Sequence, residues 1–229
     1  MFTEESLENV VIEYLKDIDY TYIHGSNLNR DNKEVLLLDR LEEFLININK
    51  ETPKSSIKEA IRKIRTFETN DVFTNNKLFH KYLTEGIEIT DFINGKTVYH
   101  TIKLIDFDNI KNNEFLVVNQ LEIVEDDIKK IPDIIIYVNG IPLVCMELKS
   151  TSREEVSIED EVKDILGVDY KNLDTLLYGM FDKERFLDII KNFILFIPKG
   201  KVLAQYHQYY GMKKAINSVI NAVDNDGRA

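Results

Sequence analysis

Three charged side chains stand in a stretch that is otherwise apolar. Asp133 opens, and Glu147 and Lys149 close, the segment PDIIIYVNGIPLVCMELKS at residues 132–150. On an extended strand Glu147 and Lys149 point to the same face, about 7 Å apart, because side chains alternate and each residue advances about 3.3 Å. Leu148 then points to the other side, toward a core. Asp133 lies on the preceding apolar run, across an Asn139-Gly140 pair that favours a two-residue hairpin turn. Two carboxylates and an ammonium meeting at one point are the parts of a metal-dependent phosphodiester hydrolase. Mg²⁺ takes hard oxygen ligands, usually one or two carboxylates, with waters and substrate phosphate in its other positions. It polarises a phosphoryl oxygen and acidifies a bound water, while a neighbouring lysine steadies the attacking hydroxide and the charge gathering on the phosphorus oxygens. The competing reading is a buried hairpin with charged ends, in which Glu147 and Lys149 pair with each other.

Register decides between them. A strict two-residue turn pairs Val138 with Ile141 and sets Asp133 opposite Met146, on the face away from Glu147. A converging site therefore requires one extra residue. Pro142 cannot donate to a strand ladder, so a bulge or widened loop is predicted between Asn139 and Leu143. Glu147 and Lys149, embedded in IPLVCMELK, are expected to be partly buried, where charge is costly unless paired or metal-bound. Cys145 is expected to be a small core residue.

The elements that must position these groups follow from periodicity. Residues 3–18 put Leu7, Val10, Val11, Tyr14, Leu15 and Ile18 on one helical stripe, with Thr3 placed as a cap. Further helices are predicted at 34–48, at 55–65 after Pro53 with Ser55 or Ser56 as cap, and at 75–85, stopped by Gly86. The period then changes from 3.6 to 2. Strands are predicted in IEITDFING, KTVYHTIKLID and NEFLVVNQLEIV, the first two joined at Asn94-Gly95, followed by the pair flanking Asn139-Gly140. Helix returns at 171–192, then a strand NFILFI, a turn at Pro198 to Gly200, and a last helix from about 206 to 223. The expected fold class is α/β: a central mixed, largely antiparallel sheet flanked by helices.

Composition narrows the class further. The chain has 229 residues, ample for a sizeable core, and its balance of apolar and charged residues is that of a globular protein. No apolar run approaches the roughly 20 residues of a membrane span and no signal peptide is legible, so a cytoplasmic protein is expected. A net charge of -11 argues against a stand-alone DNA-binding domain, because neutralising phosphates takes clustered Lys and Arg. The basic residues Lys58, Arg62, Lys63 and Arg65 read as a solvated helix face. His24, His80, His100 and His207 show no metal-ligand spacing. Tyr206, His207, Tyr209 and Tyr210 read as helix packing rather than a base-stacking surface.

PDIIIYVNGIPLVCMELKS closely resembles the nuclease motif of the R subunit of type I restriction enzymes, within the PD-(D/E)XK nuclease superfamily. FHKYLTEGIEI (79–89), NEFLVVNQLEI (113–123), FDKERFLDIIKNFILF (181–196) and AQYHQYYGMKKAI (204–216) are similar to that family in the same order. The resemblance implies a restriction-endonuclease-like fold and Mg²⁺-dependent cleavage of double-stranded DNA, with Asp133 and Glu147 as metal ligands and Lys149 as the catalytic lysine. It also implies methyltransferase (M) and specificity (S) subunits as partners. The superfamily often adds a glutamate from its first helix, and Glu8, followed by Val11, Tyr14, Leu15 and Tyr20, matches that pattern with Asp19 where a glycine is usual. Two departures matter. The helix with a Q-x-x-x-Y pattern that follows the ELK strand in the family is absent, and the text near Asp160 and Glu161 reads as a junction across a missing segment. No P-loop follows YHQYYGMKKAI, and Asn94-Gly95-Lys96-Thr97 lacks the required spacing and context for one.

The expected organisation is an endonuclease domain at 1–197, comprising a helical region 1–85, a nuclease sheet 86–150 and a helical part 161–192. Residues 198–229 would be a linker and first helix leading to an absent helicase-like ATPase, to which any use of ATP would belong. Two further readings stay open: a non-catalytic docking module of nuclease fold, and a stand-alone repair nuclease.

Overall fold

The computed structural model describes residues 4–93, 95–148, 173–198 and 200–224. In chain order these form α1 (Glu4–Asp17), β1 (Thr21–His24), α2 (Leu38–Ile48), α3 (Lys54–Arg65), α4 (Val72–Glu85), β2 (Ile87–Ile93), β3 (Lys96–Ile102), β4 (Phe115–Asn119), β5 (Ile123–Glu125), β6 (Ile128–Lys130), β7 (Ile134–Val138), β8 (Ile141–Met146), α5 (Leu173–Phe181), α6 (Lys183–Asn192), β9 (Ile194–Ile197), β10 (Gly200–Leu203) and α7 (Tyr206–Asp224). A four-stranded mixed sheet, order β1-β4-β7-β8, is the centre; β2-β3, β5-β6 and β9-β10 are separate two-stranded ribbons. Within the central sheet β1 runs parallel to β4, and the other two pairings are antiparallel.

The two inner strands are buried along their whole length, FLVVN in β4 and IIIYV in β7, because both faces of the sheet are covered. One face holds the main core, where Val117, Ile134 and Ile136 meet Val11, Ile12 and Leu15 of α1 together with Leu41 and Leu45 of α2. The other face carries a smaller cluster of Leu37, Leu116, Val118, Leu121, Ile135 and Tyr137.

Local chemistry accounts for most element ends, and tertiary contacts for the exceptions. α1 ends with Asp19 at φ 64, its N–H bonded to the Lys16 carbonyl while Tyr20 N–H reaches Leu15. The usual glycine of the first-helix pattern is thus replaced at a position that needs the left-handed region, which aspartate tolerates better than most residues. α2 begins at Leu38 rather than at 34, because residues 35–37 are drawn onto the sheet: Tyr137 Oη donates to the Val35 carbonyl and Leu37 N–H to that of Gly140. Neither Ser55 nor Ser56 caps α3. Helix begins at Lys54, and the buried Ser56 hydroxyl donates to Asp91 instead. Asp71 starts α4 earlier than expected by accepting from Thr74 N–H at 2.9 Å. The helix expected over 171–192 is two helices, broken where Asp182 caps α6. β1, inside the part read as helical, is short and half-exposed.

The hairpin β7-β8 turns on Asn139 (φ 54) and Gly140 (φ 78), the two positive φ values of a type I′ turn. Asn139 is fully buried; its side chain accepts from Glu114 N–H and donates to the Leu104 carbonyl and Asn113 Oδ1. A Cβ on Gly140 would lie 2.6 Å from the Leu37 carbonyl oxygen, whereas one on Gly95 (φ 77) would meet open space. Gly95→Ala is therefore expected to cost about 1 kcal/mol, the left-handed penalty alone, and Gly140→Ala at least about 2 kcal/mol more, because backbone must move. Urea denaturation of the two variants, with unchanged slopes, measures the difference.

Candidate active site at the rim of the sheet

β8 carries one extra residue. Ile134 pairs with Met146, Ile135 with Cys145 and Ile136 with Val144, but Tyr137 pairs with Pro142, so Leu143 is left without a partner. This is the predicted bulge, in the predicted interval. Its effect is to restore parity: continuing the Ile134–Met146 pair by one residue sets Asp133 across from Glu147, on the face that carries Ile135 and Cys145. Asp133 Oδ2 also accepts from Leu148 N–H at 2.5 Å, which ties its carboxylate to the strand end bearing Glu147. Leu148 itself packs toward the main core, as alternation requires. Lys149 lies outside the described residues.

Two expectations about burial need correction. Glu147 is exposed, and so is Cys145, because β8 is the edge strand and the smaller cluster does not extend over its outer end. Partial burial raises the Cys145 thiol pKa, and the charges of Glu147 and then Asp133 push it the same way.

Glu8 is the third acid at this end of the sheet. It projects from α1, on the main-core side, and is only 7% exposed. Its Oε2 accepts from Asn119 Nδ2 at 3.2 Å and its Oε1 from Gln120 Nε2 at 2.8 Å. Gln120 N–H in turn donates to the Asp133 carbonyl at 3.2 Å. Among the described residues no three His, Cys, Asp or Glu side chains are grouped so as to hold a metal ion, so Glu8 reaches the same rim as Asp133 and Glu147 without joining them in one cluster. Asn119 and Gln120 were not among the sequence candidates; two adjacent amides ending an apolar strand are their only signal.

The donor set fits a hard cation. Both groups on the common face are carboxylates, and Mg²⁺ needs no more than one or two from the protein. Several of the other polar groups have structural partners: Arg62 pairs with Glu59, Arg65 with Glu34, Lys63 bonds the Glu88 carbonyl, and Tyr209 packs on Phe193 while donating to Asp188 at 2.9 Å.

A model of the type I restriction enzyme R protein N terminus matches residues 1–178. The chain belongs to this family. Among its relatives, the type I restriction enzyme HindI endonuclease subunit of Haemophilus influenzae is 28% identical over 291 positions, which take in 99% of this chain and 28% of that protein. The putative type I restriction enzyme MjaIXP endonuclease subunit of Methanocaldococcus jannaschii is 27% identical over 290 positions, covering 95% of this chain and 28% of its own length. This R-protein N terminus therefore spans little more than a quarter of those relatives. The first alignment has 291 positions against 229 residues here, so at least 62 of them have no counterpart in this chain. No helix among the described residues is long and apolar enough to cross a membrane.

Because Cys145 is the lone cysteine, alkylation reports on the acids directly. Removing either neighbouring negative charge lowers the thiol pKa and raises the thiolate fraction. Asp133→Asn and Glu147→Gln are each expected to speed iodoacetamide labelling at pH 8, with Glu147→Gln the faster; equal rates in all three proteins would mean that the acids and the thiol do not share a face.

Proposed function

We propose that this chain is the DNA-cleaving part of a type I restriction enzyme R subunit, hydrolysing DNA phosphodiesters with Mg²⁺ held by Asp133 and Glu147. The observation that carries the reading is the bulged β7-β8 register, which turns both acids to one face at the rim of a buried sheet. Family membership supports it, as do relatives named as endonuclease subunits.

Each residue has a distinct task. Asp133, oriented by Leu148 N–H, and Glu147, on the strand edge, would bind the cation. When bound, Mg²⁺ supplies charge neutralisation at the scissile phosphoryl group and a more acidic water. Lys149, two residues after Glu147 and outside the described residues, would steady the attacking hydroxide and the developing negative charge, as the resemblance to the nuclease motif implies. The exposure of Glu147 leaves access for a substrate as large as a duplex.

The remaining functions belong to the whole enzyme. Sequence recognition by an S subunit and methylation by an M subunit would supply the specificity that this acidic chain lacks, and ATP-driven translocation by a helicase-like region would deliver DNA to the rim. The surplus aligned positions in the relatives support a segment they carry and this chain lacks, which we place at the Asp160–Glu161 junction. A non-catalytic docking module is the second reading, favoured by the lack of a three-ligand cluster among the described residues.

Titration with Mn²⁺ separates the two. Glu147→Ala and Asp133→Ala are each expected to abolish a site that the unaltered protein fills; a docking module would show no binding that these substitutions remove. In the assembled enzyme, Lys149→Ala should lower the cleavage rate by about 10²- to 10³-fold while leaving Mn²⁺ binding in place.

A further inference from the structure

Glu8 is held by amides rather than by a cation. Among the described residues no Lys or Arg pairs with it, although it is nearly buried, and its two oxygens are divided between two side chains of one short turn, Asn119 Nδ2 and Gln120 Nε2. The Asn119 amide is itself oriented, because Tyr22 Oη donates to its Oδ1 at 3.0 Å, leaving Nδ2 to face the carboxylate. Three elements, α1, β1 and the end of β4, thus contribute one chain of hydrogen bonds.

The turn is also constrained. Gln120 has φ 51, a conformation that costs a non-glycine residue about 1–3 kcal/mol and persists only where its surroundings over-determine it. Two surroundings do so. Gln120 N–H is bonded to the Asp133 carbonyl, and Gly25 packs so closely that a Cβ there would lie 2.6 Å from the Gln120 carbonyl oxygen. The sequence run expected to be a single strand, NEFLVVNQLEIV, is broken at this residue, with β4 ending at Asn119 and β5 starting at Ile123.

We propose that Asn119 and Gln120 are positioning residues for cation binding at the sheet rim. Their amides fix the Glu8 carboxylate, and the same residue, Gln120, fixes the backbone of Asp133, so the third acid and the first are held in one geometry by a single strained turn. Glu8 lies outside the Asp133–Glu147 pair and on the other side of the sheet, so it would influence a cation bound there through its charge and not as a ligand. This rests on the metal reading above and goes beyond it by assigning a task to neutral residues. Hydrogen-bond partners that orient a metal's surroundings typically change its affinity about 10- to 100-fold.

A double-mutant cycle on the full chain tests this, with Mn²⁺ binding read by water proton relaxation and folding by circular dichroism. Gln120→Ala and Glu8→Gln are each expected to weaken Mn²⁺ binding about tenfold, and the double variant no more than either alone, because Gln120 acts through Glu8. Gln120→Glu, which keeps the shape but replaces the donor by a like charge, should weaken binding at least as much at pH 7; it serves as the readout if Gln120→Ala unfolds. Unchanged affinity in the Gln120 variants, or losses that multiply in the double variant, would overturn the clamp while Glu147→Ala still abolishes binding. Unchanged affinity in Glu147→Ala would remove the metal reading and the clamp with it.

Discussion

A single unpaired residue in β8 sets the chemistry available to this fold. Side chains on a strand alternate with a period of two, so an insertion of one residue exchanges the faces of everything beyond it. The register of β7 is held by burial on both faces, since a slip would drive Ile134, Ile136 and Val138 out of the main core. The register of the turn is held by Asn139, whose buried side chain has three partners, and by Gly140, pressed against α2. With both ends of the hairpin locked, the mismatch collects at Leu143, next to the proline that cannot donate to the ladder. Asp133 and Glu147 share a face because the hairpin has no other way to satisfy both constraints.

The acids also show how a buried sheet can carry charge. None of the three lies in the middle of a strand. Asp133 and Glu147 sit one residue beyond the last paired residues of β7 and β8, and Glu8 reaches the same end from the helix that covers the opposite face. At a rim, a carboxylate can keep contact with water or be satisfied by the peptide groups and amides where strands stop, and the desolvation cost of a central position is avoided. The two arrangements differ accordingly: Glu147 is exposed on an edge strand, and Glu8 is buried and held by two amide donors.

The chain carries a net charge of -11, and on the basic face of α3 Arg62, Arg65 and Lys63 are engaged by Glu59, Glu34 and the Glu88 carbonyl. The chain belongs to the type I restriction enzyme R protein N-terminal family and spans little more than a quarter of the relatives it matches.

Sequence by itself determined the features that rest on local chemistry or on strict periodicity: the amphipathic α1, the Asn139-Gly140 turn, the stop at Gly86, and Pro142 as a place where a strand ladder can bulge. Each depends on neighbours within a few residues. Tertiary structure alone decided the rest. It drew residues 35–37 out of a helical pattern onto the sheet, recruited the four residues of β1 as a parallel strand, turned Ser56 from a cap into a partner for Asp91, and left Cys145 and Glu147 exposed at an edge that no local pattern marks. It also broke the NEFLVVNQLEIV run at Gln120 and bound Glu8 to that break across more than a hundred residues. The physical reason is common to all of these: hydrogen-bond partners and burial at such positions come from segments distant in sequence, and a one-dimensional pattern of apolar and polar residues holds no record of which segments those are.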